Sequence, residues 1–305
     1  MSYHLRPDYK ASKEVARVAR KRLKKARSAL TGPVGERAKG IHQSRKRFKE
    51  LRALLRLIRK PLGKTFDVEN KRLRDAARLL SSSRDATALV ESWDALAASD
   101  NKVFQQKAMR DIRQRLVKRR PEEVKQSEDQ AIIDVLAAVE NMEREVARWR
   151  FSSTDFELFA EGLEKTYRDG RKALALAAKD PSAHNLHEWR KRVKDHWYHT
   201  RLLLLGWPEQ LKVRCTFLKE LSDLLGDDHD LSMLCLLLHN EPELFGDEAT
   251  IAQLDEIMQQ RREALQSRAL RLGRRLYAES PKALRQRWQR YWKITRRERR
   301  AKATS

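Results

Sequence analysis

His42-Gln43-Ser44-Arg45-Lys46-Arg47-Phe48-Lys49 and, 145 residues further on, His187-Glu188-Trp189-Arg190-Lys191-Arg192-Val193-Lys194 carry one histidine and four bases at the same spacing. Continued without a gap, that displacement sets Arg56-Leu57 on Arg201-Leu202, Leu73 on Leu218, Leu79-Leu80 on Leu224-Leu225 and Asp85 on Asp230. A chance match between two basic helices would not keep register through the following helix and turn. The chain therefore reads as a duplicated unit, divided into 1–150 and 151–305, with a pseudo-twofold relation expected between the halves.

On a 3.6-residue period His42, Arg45, Lys49, Arg52, Arg56 and Arg59 fall within an arc of about 100°. Phe48, Leu51, Leu55, Ile58 and Leu62 take a face broadly opposite. One side packs into a bundle, and the other presents cations about 5–6 Å apart along the axis. Lys46 adds a base to this copy. The second copy carries His187, Arg190, Lys191, Lys194 and Arg201, with Val193, Trp197 and Leu202 to Leu205 for packing. The companion helices contribute Lys71, Arg72, Arg74 and Arg78 in the first half and Lys212, Arg214 and Lys219 in the second. Facing stripes would line one basic pore or cleft, and a concave positive surface focuses potential. Arg45 and Arg190 lead the candidates because a guanidinium grips phosphate through two parallel hydrogen bonds. His42 and His187, at the front of each stripe, can donate one hydrogen bond to phosphate or become cations beside it. A charge run on one helix is usually a solvated face, with Glu50 or Asp195 pairing nearby arginines. Repetition of the pattern in register argues for a shared role.

The rest of the chain fits an all-α fold. Among 305 residues Gly and Pro number 18, and 40% are hydrophobic, enough for a core without disulfides. Long stretches of Leu, Ala, Arg, Lys, Glu and Gln favour helix. Punctuation by Gly, Pro and Ser predicts helices near 9–30, 36–60, 67–98 with an interruption at Ser81-Ser82-Ser83, 100–120, and from Pro121-Glu122-Glu123 to 150. After cap candidates at 152–155 it predicts 155–179, 183–205, 209–225, 229–239, 247–279 and 281–300, with Gly226-Asp227-Asp228 as a break. A balance of 67 Lys plus Arg against 43 Asp plus Glu gives a formal charge of +24 and calls for a polyanionic partner. Cys215 and Cys235 read as free thiols, no zinc spacing is present, and no cofactor is expected. The polar N-terminus and the lack of an 18-residue apolar run give a cytoplasmic expectation.

At the two motif copies the chain resembles the CHAD family, the conserved histidine α-helical domain. The resemblance rests on His42 to Lys49 followed by Leu51-Arg52 and Leu54-Leu55-Arg56, and on His187 to Lys194. It extends to Leu79-Leu80-x-x-x-Arg84-Asp85 and Leu224-Leu225-Gly226-x-x-His229-Asp230. It implies two related four-helix bundles around a basic central pore that binds inorganic polyphosphate, in association with polyphosphate granules. Carried onto this sequence, it implies phosphate contacts at His42, Arg45, Lys49, Arg52 and Arg56, and at His187, Arg190, Lys194 and Arg201. Arg52 is matched by Trp197 and Arg84 by His229, so the second unit departs from the first. The Glu-x-Glu-x-Lys signature of the triphosphate-tunnel domains fused to many relatives is missing, which implies a stand-alone, non-catalytic binder, with divalent cations at most accompanying the polyanion.

Two other functions fit parts of the sequence. Residues 261–300 hold 15 Lys or Arg against three Glu and could grip nucleic acid through phosphates alone, though the stripes lack interleaved aromatics for stacking bases. His184, His187, His196, His199 and Asp227 to Asp230 concentrate metal-ligand chemistry, which a metal-dependent phosphohydrolase would use. The basic segment Lys13 to Arg27 could meet a membrane surface, but no large aromatic face accompanies it.

Overall fold

The computed structural model describes residues 3–80, 85–99, 101–119, 125–153 and 155–304. Regular structure among them is helical: α1 (Ala11–Leu30), α2 (Arg37–Leu57), α3 (Arg59–Leu62), α4 (Lys64–Leu79), α5 (Asp85–Ser99), α6 (Asn101–Phe104), α7 (Lys107–Lys118) and α8 (Lys125–Arg148). There follow α9 (Glu157–Lys179), α10 (Ala183–Leu202), α11 (Pro208–Asn240), α12 (Glu248–Leu276) and α13 (Pro281–Thr304). The expected break at 81–83, Arg84 and the expected helix start at Pro121 lie outside the described residues.

Local chemistry sets several of these ends. The Ser182 hydroxyl accepts from the Asn185 amide, and the Asp247 carboxylate accepts from the Thr250 amide at 2.8 Å, each satisfying a free N–H at a helix start. Pro208 and Pro281 open α11 and α13, where a missing N–H costs nothing. Pro61 cannot donate to the Leu57 carbonyl, so α2 stops at Leu57 four residues before it. Gly63, at φ 55°, then turns the chain into α4. Gly162 of α9 passes so close to the freed carbonyl that a Cβ there would lie 2.1 Å from it.

Carried forward by 145 residues, α1, α2 and α4 start within one residue of α9, α10 and α11. The packing partners repeat as well: α1 lies on α2 as α9 lies on α10, and α2 on α4 as α10 on α11. Two expected readings differ, and the first is the helix over 100–120, which divides into α6 and α7. Second, Gly226-Asp227-Asp228 does not break the chain; α11 runs through it unbroken from Pro208 to Asn240.

The apolar face predicted for α2 is buried at Phe48, Leu51, Leu55, Ile58 and Leu62, and α10 buries Val193, Leu202 and Leu203. The two motif helices cross where Ala53 has no exposed surface, and the buried His199 Nε2 donates to the Ala53 carbonyl at 2.8 Å. Acids and bases interlock around that point. Arg56 reaches Asp195 at 3.1 Å, and Arg201 reaches Glu50 at 3.6 Å. Those pairs are reciprocal, because the 145-residue displacement carries Glu50 onto Asp195 and Arg56 onto Arg201. Each acid also holds a base one turn before it on its own helix, Arg47 to Glu50 at 2.8 Å and Arg192 to Asp195 at 3.4 Å. Glu50 gains a third cation from the buried Arg22 at 3.2 Å.

Removing the carboxylate would take from the buried Arg22 the acid 3.2 Å away, and breaking a buried ion pair from one side is costly. Glu50→Ala is expected to lower unfolding stability by about 3–5 kcal/mol, read as a shift in the urea midpoint. Glu36→Ala, which removes only an exposed pair with Lys39, is expected to leave the midpoint in place.

Candidate functional site

Seating Glu50 and Asp195 in the crossing decides where their neighbours point. Consecutive helical residues diverge by about 100°, so Lys49 and Lys194 turn out of the crossing, and Arg45 and Arg190 lie one turn before them on the same faces. All four line a single cavity of about 370 Å³. The cavity is closed by α5, α11 and α12, which bring in Glu91, Asp227, His229, Asp230 and Arg261, with Leu96 and Leu265 among its apolar lining. Five basic side chains thus face three carboxylates.

Arg45 donates to the Leu80 carbonyl at 2.9 Å, which fixes its guanidinium at the end of α4. Arg190 lies against Gly226, where a Cβ would stand 2.9 Å from its Nη2. The glycine read as a helix break is instead the residue that lets this arginine lie flat on α11. Arg190 Nε is buried with no hydrogen-bond partner among the described residues. Lys194 is half-buried, and burial, with the Arg190 and Lys49 charges beside it, lowers its ammonium to about 7. The acids Asp230 and Asp223 oppose this only in part. His187 packs its ring 4.4 Å from that of His229. Burial, His229, Lys191 and Arg190 push it down to about 4, so it is neutral at neutral pH.

The other sequence candidates are dispersed. Arg56 and Arg201 are held by Asp195 and Glu50 at the crossing. Arg56 also faces a separate depression of about 580 Å³. Arg52 donates to Asn70 at 3.0 Å, and burial beside Arg56 lowers it to about 10, which leaves it charged. Lys71 and Arg74 flank Asp75 on the exposed side of α4 at 3.1 and 3.2 Å, and Arg78 and Lys46 are exposed. His42 is exposed at the front of α2. Lys191 pairs with Glu188 one turn back. Arg201, Lys212 and Lys219 line an open groove of about 800 Å³ that meets the central cavity at Asp227. Lys219 is paired there with Asp223 at 2.5 Å.

The sequence did not single out Arg261 or the acids of α5 and α11 as cavity residues. Arg261 sits in the cation-rich stretch that opens at 261, and only the packing of α12 on α11 selects it from that stretch. The histidine–aspartate concentration separates in space. His196 is buried against Trp288 and Tyr167 and bonded to Arg214, and His199 is spent on Ala53. Among the described residues no group of three His, Cys, Asp or Glu is placed to hold a metal ion. No helix of these residues is long and apolar enough to cross a membrane.

A lysine held near 7 when folded and about 10.4 when unfolded carries fewer protons in the folded chain across that interval. Stability from this group therefore rises with pH between the two values, and its full cost is present below the lower one. Lys194→Met is expected to stabilise the unliganded protein near neutral pH by about 1 kcal/mol. That gain should shrink as pH approaches 10, measured by urea unfolding at each pH.

A family model described as the CHAD domain matches residues 17–239, which include both motif helices, α4, α5 and almost all of α11. A comparison with curated proteins finds no match. The chain belongs to the CHAD domain family.

Proposed function

We propose that the chain binds inorganic polyphosphate without hydrolysing it, at polyphosphate granules in the cytoplasm. The observation that carries this reading is the meeting of Arg45 and Lys49 with Arg190 and Lys194 in one cavity. In this reading 1–150 and 151–305 are two related four-helix units about a pseudo-twofold axis, supported by the reciprocal Arg56–Asp195 and Arg201–Glu50 pairs. The polymer threads the central cavity as the inner part of a basic pore. Outer contacts come from Arg52, Arg74, Arg78 and Lys71 on one side, and from Arg201, Lys212 and Lys219 on the other. His42 and His187 hydrogen-bond at the entrances, while Lys46 and Lys191 add long-range attraction. Divalent cations enter, if at all, with the polyanion.

Physical chemistry favours a long linear anion here. Cations crowded enough to depress a lysine gain most from a ligand that brings several negative charges at once, and adjacent contacts share a single ordering cost. Phosphate oxygens also suit the two-pronged guanidinium of Arg190, which lines the cavity.

Charge reversal at Arg45 and Arg190 together is expected to weaken polyphosphate binding at least a hundred-fold at fixed salt, with helicity unchanged. Competition between polyphosphate and duplex DNA at the same phosphate concentration separates this reading from general phosphate binding, and DNA displacing the polymer would reverse the assignment. Polyphosphate should raise the Lys194 ammonium, so affinity should fall as pH climbs from 6 to 9 and protons should be taken up on binding near pH 7–8. Calorimetry in buffers of different ionisation heat reads this uptake, and Lys194→Arg should abolish it.

A further inference from the structure

The open groove beside the central cavity differs from it in chemistry. Its lining combines the apolar Trp197, Leu204, Cys215 and Leu224 with the bases Arg201, Lys212 and Lys219 and the acids Glu220, Asp223 and Asp227. A chain of bare phosphates has no group that gains from apolar contact, so the apolar lining is unexplained by polyphosphate binding. The first unit makes the contrast plain. The positions 145 residues before Trp197 and Cys215 are Arg52 and Asn70, joined by a hydrogen bond of 3.0 Å. Where one unit has a guanidinium and an amide, the other has an indole and a thiol.

The indole is held in place as a platform. Arg201 lies over the Trp197 ring at 4.8 Å from its centre, and Arg201 is itself fixed by Glu50 at 3.6 Å. Flat aromatic groups stack on indole and on guanidinium planes alike. Between the groove and the central cavity stands a single shared side chain, Asp227, a hydrogen-bond acceptor.

We infer that the groove receives the nucleobase of a nucleoside oligophosphate whose phosphates occupy the Arg45–Lys49–Arg190–Lys194 cavity. The base stacks on Trp197 against the apolar lining, and Asp227 accepts a hydrogen bond from a ribose hydroxyl at the junction. Lys212 and Lys219 flank the base and offset the charge of Asp227 and Asp223. This inference rests on the phosphate-binding reading of the central cavity and names a second ligand class for it.

The experiment is calorimetric titration of the full chain with ATP, GTP and inorganic triphosphate at equal salt and magnesium. Inorganic triphosphate has the greater charge and no base, so a purely electrostatic site prefers it. The expected result is tighter binding of the nucleotides, on the order of ten-fold for one stacked base. Trp197→Ala should remove that preference and leave triphosphate affinity unchanged, and Trp197→Phe should retain most of it. Nucleotides binding no tighter than inorganic triphosphate to the wild-type chain overturn the inference, whatever the variants do, and so does a preference that survives Trp197→Ala. Arg190→Glu keeps the two readings apart. Loss of triphosphate binding in that variant, without any nucleotide preference in the wild type, retains the phosphate cavity and removes the base site. Triphosphate binding unaffected by Arg190→Glu removes the cavity assignment and the inference with it.

Discussion

Two carboxylates buried between two helices organise this molecule. Glu50 and Asp195 each sit on a motif helix and accept an arginine from the other, Arg201 and Arg56, while Arg47 and Arg192 hold them from their own helices. Taking such groups out of water is expensive, and their attraction offsets that cost only where geometry and further hydrogen bonds are good. The reciprocal arrangement supplies the attraction twice, and the Arg47–Glu50 hydrogen bond of 2.8 Å adds to it, while Glu50 Oε1 accepts no hydrogen bond among the described residues. It also fixes register: a one-residue slide of α10 along α2 would part both cross-helix pairs at once. The His199–Ala53 hydrogen bond holds the same crossing, and the close seat of Gly162 on the Leu57 carbonyl holds α9 against α2.

The crossing and the cavity are two consequences of one sequence step. Lys49 follows Arg45 by one turn and precedes Glu50 by one residue, and Lys194 stands likewise between Arg190 and Asp195. Anchoring the acids inward leaves these lysines and arginines to converge from both helices on one space. Burial first, and the like charges of Arg190 and Lys49 after it, bring Lys194 down to about 7, while the more exposed Lys71 and Arg74 of α4 share Asp75. Glu91, Asp227 and Asp230 moderate the repulsion without cancelling it. The cavity is thus a place where the fold holds buried positive charge that its own acids only partly offset.

How much of this the sequence disclosed follows from which forces act locally. Helix placement was legible because capping residues, prolines and apolar period act within a few residues, and α1, α9, α10 and α13 start within two residues of expectation. The meeting of Arg45 with Arg190 was legible from the repeat. Gly226 misled because glycine in a sequence marks a turn or a close approach with equal force, and only the position of Arg190 distinguishes them. Arg56 and Arg201 share the helical arc of the phosphate candidates, yet both reach across to an acid on the partner helix. No helical projection contains the neighbouring helix, so it cannot show that these two pair with acids as well as lining separate depressions. Arg261 was hidden for the same reason.

The two halves agree and differ in a physically ordered way. Arg47 and Arg192, Arg56 and Arg201, Glu50 and Asp195 keep their charge because each stands in the crossing, where losing one leaves its partner buried and uncompensated. Arg45 and Arg190, Lys49 and Lys194 keep theirs because all four share one cavity. Position 52 and its counterpart 197 stand in neither, and there the chain holds an arginine bonded to Asn70 in one unit and a tryptophan beneath Arg201 in the other. Outside both sets of contacts the two positions differ in kind, one offering charge and the other a flat apolar surface.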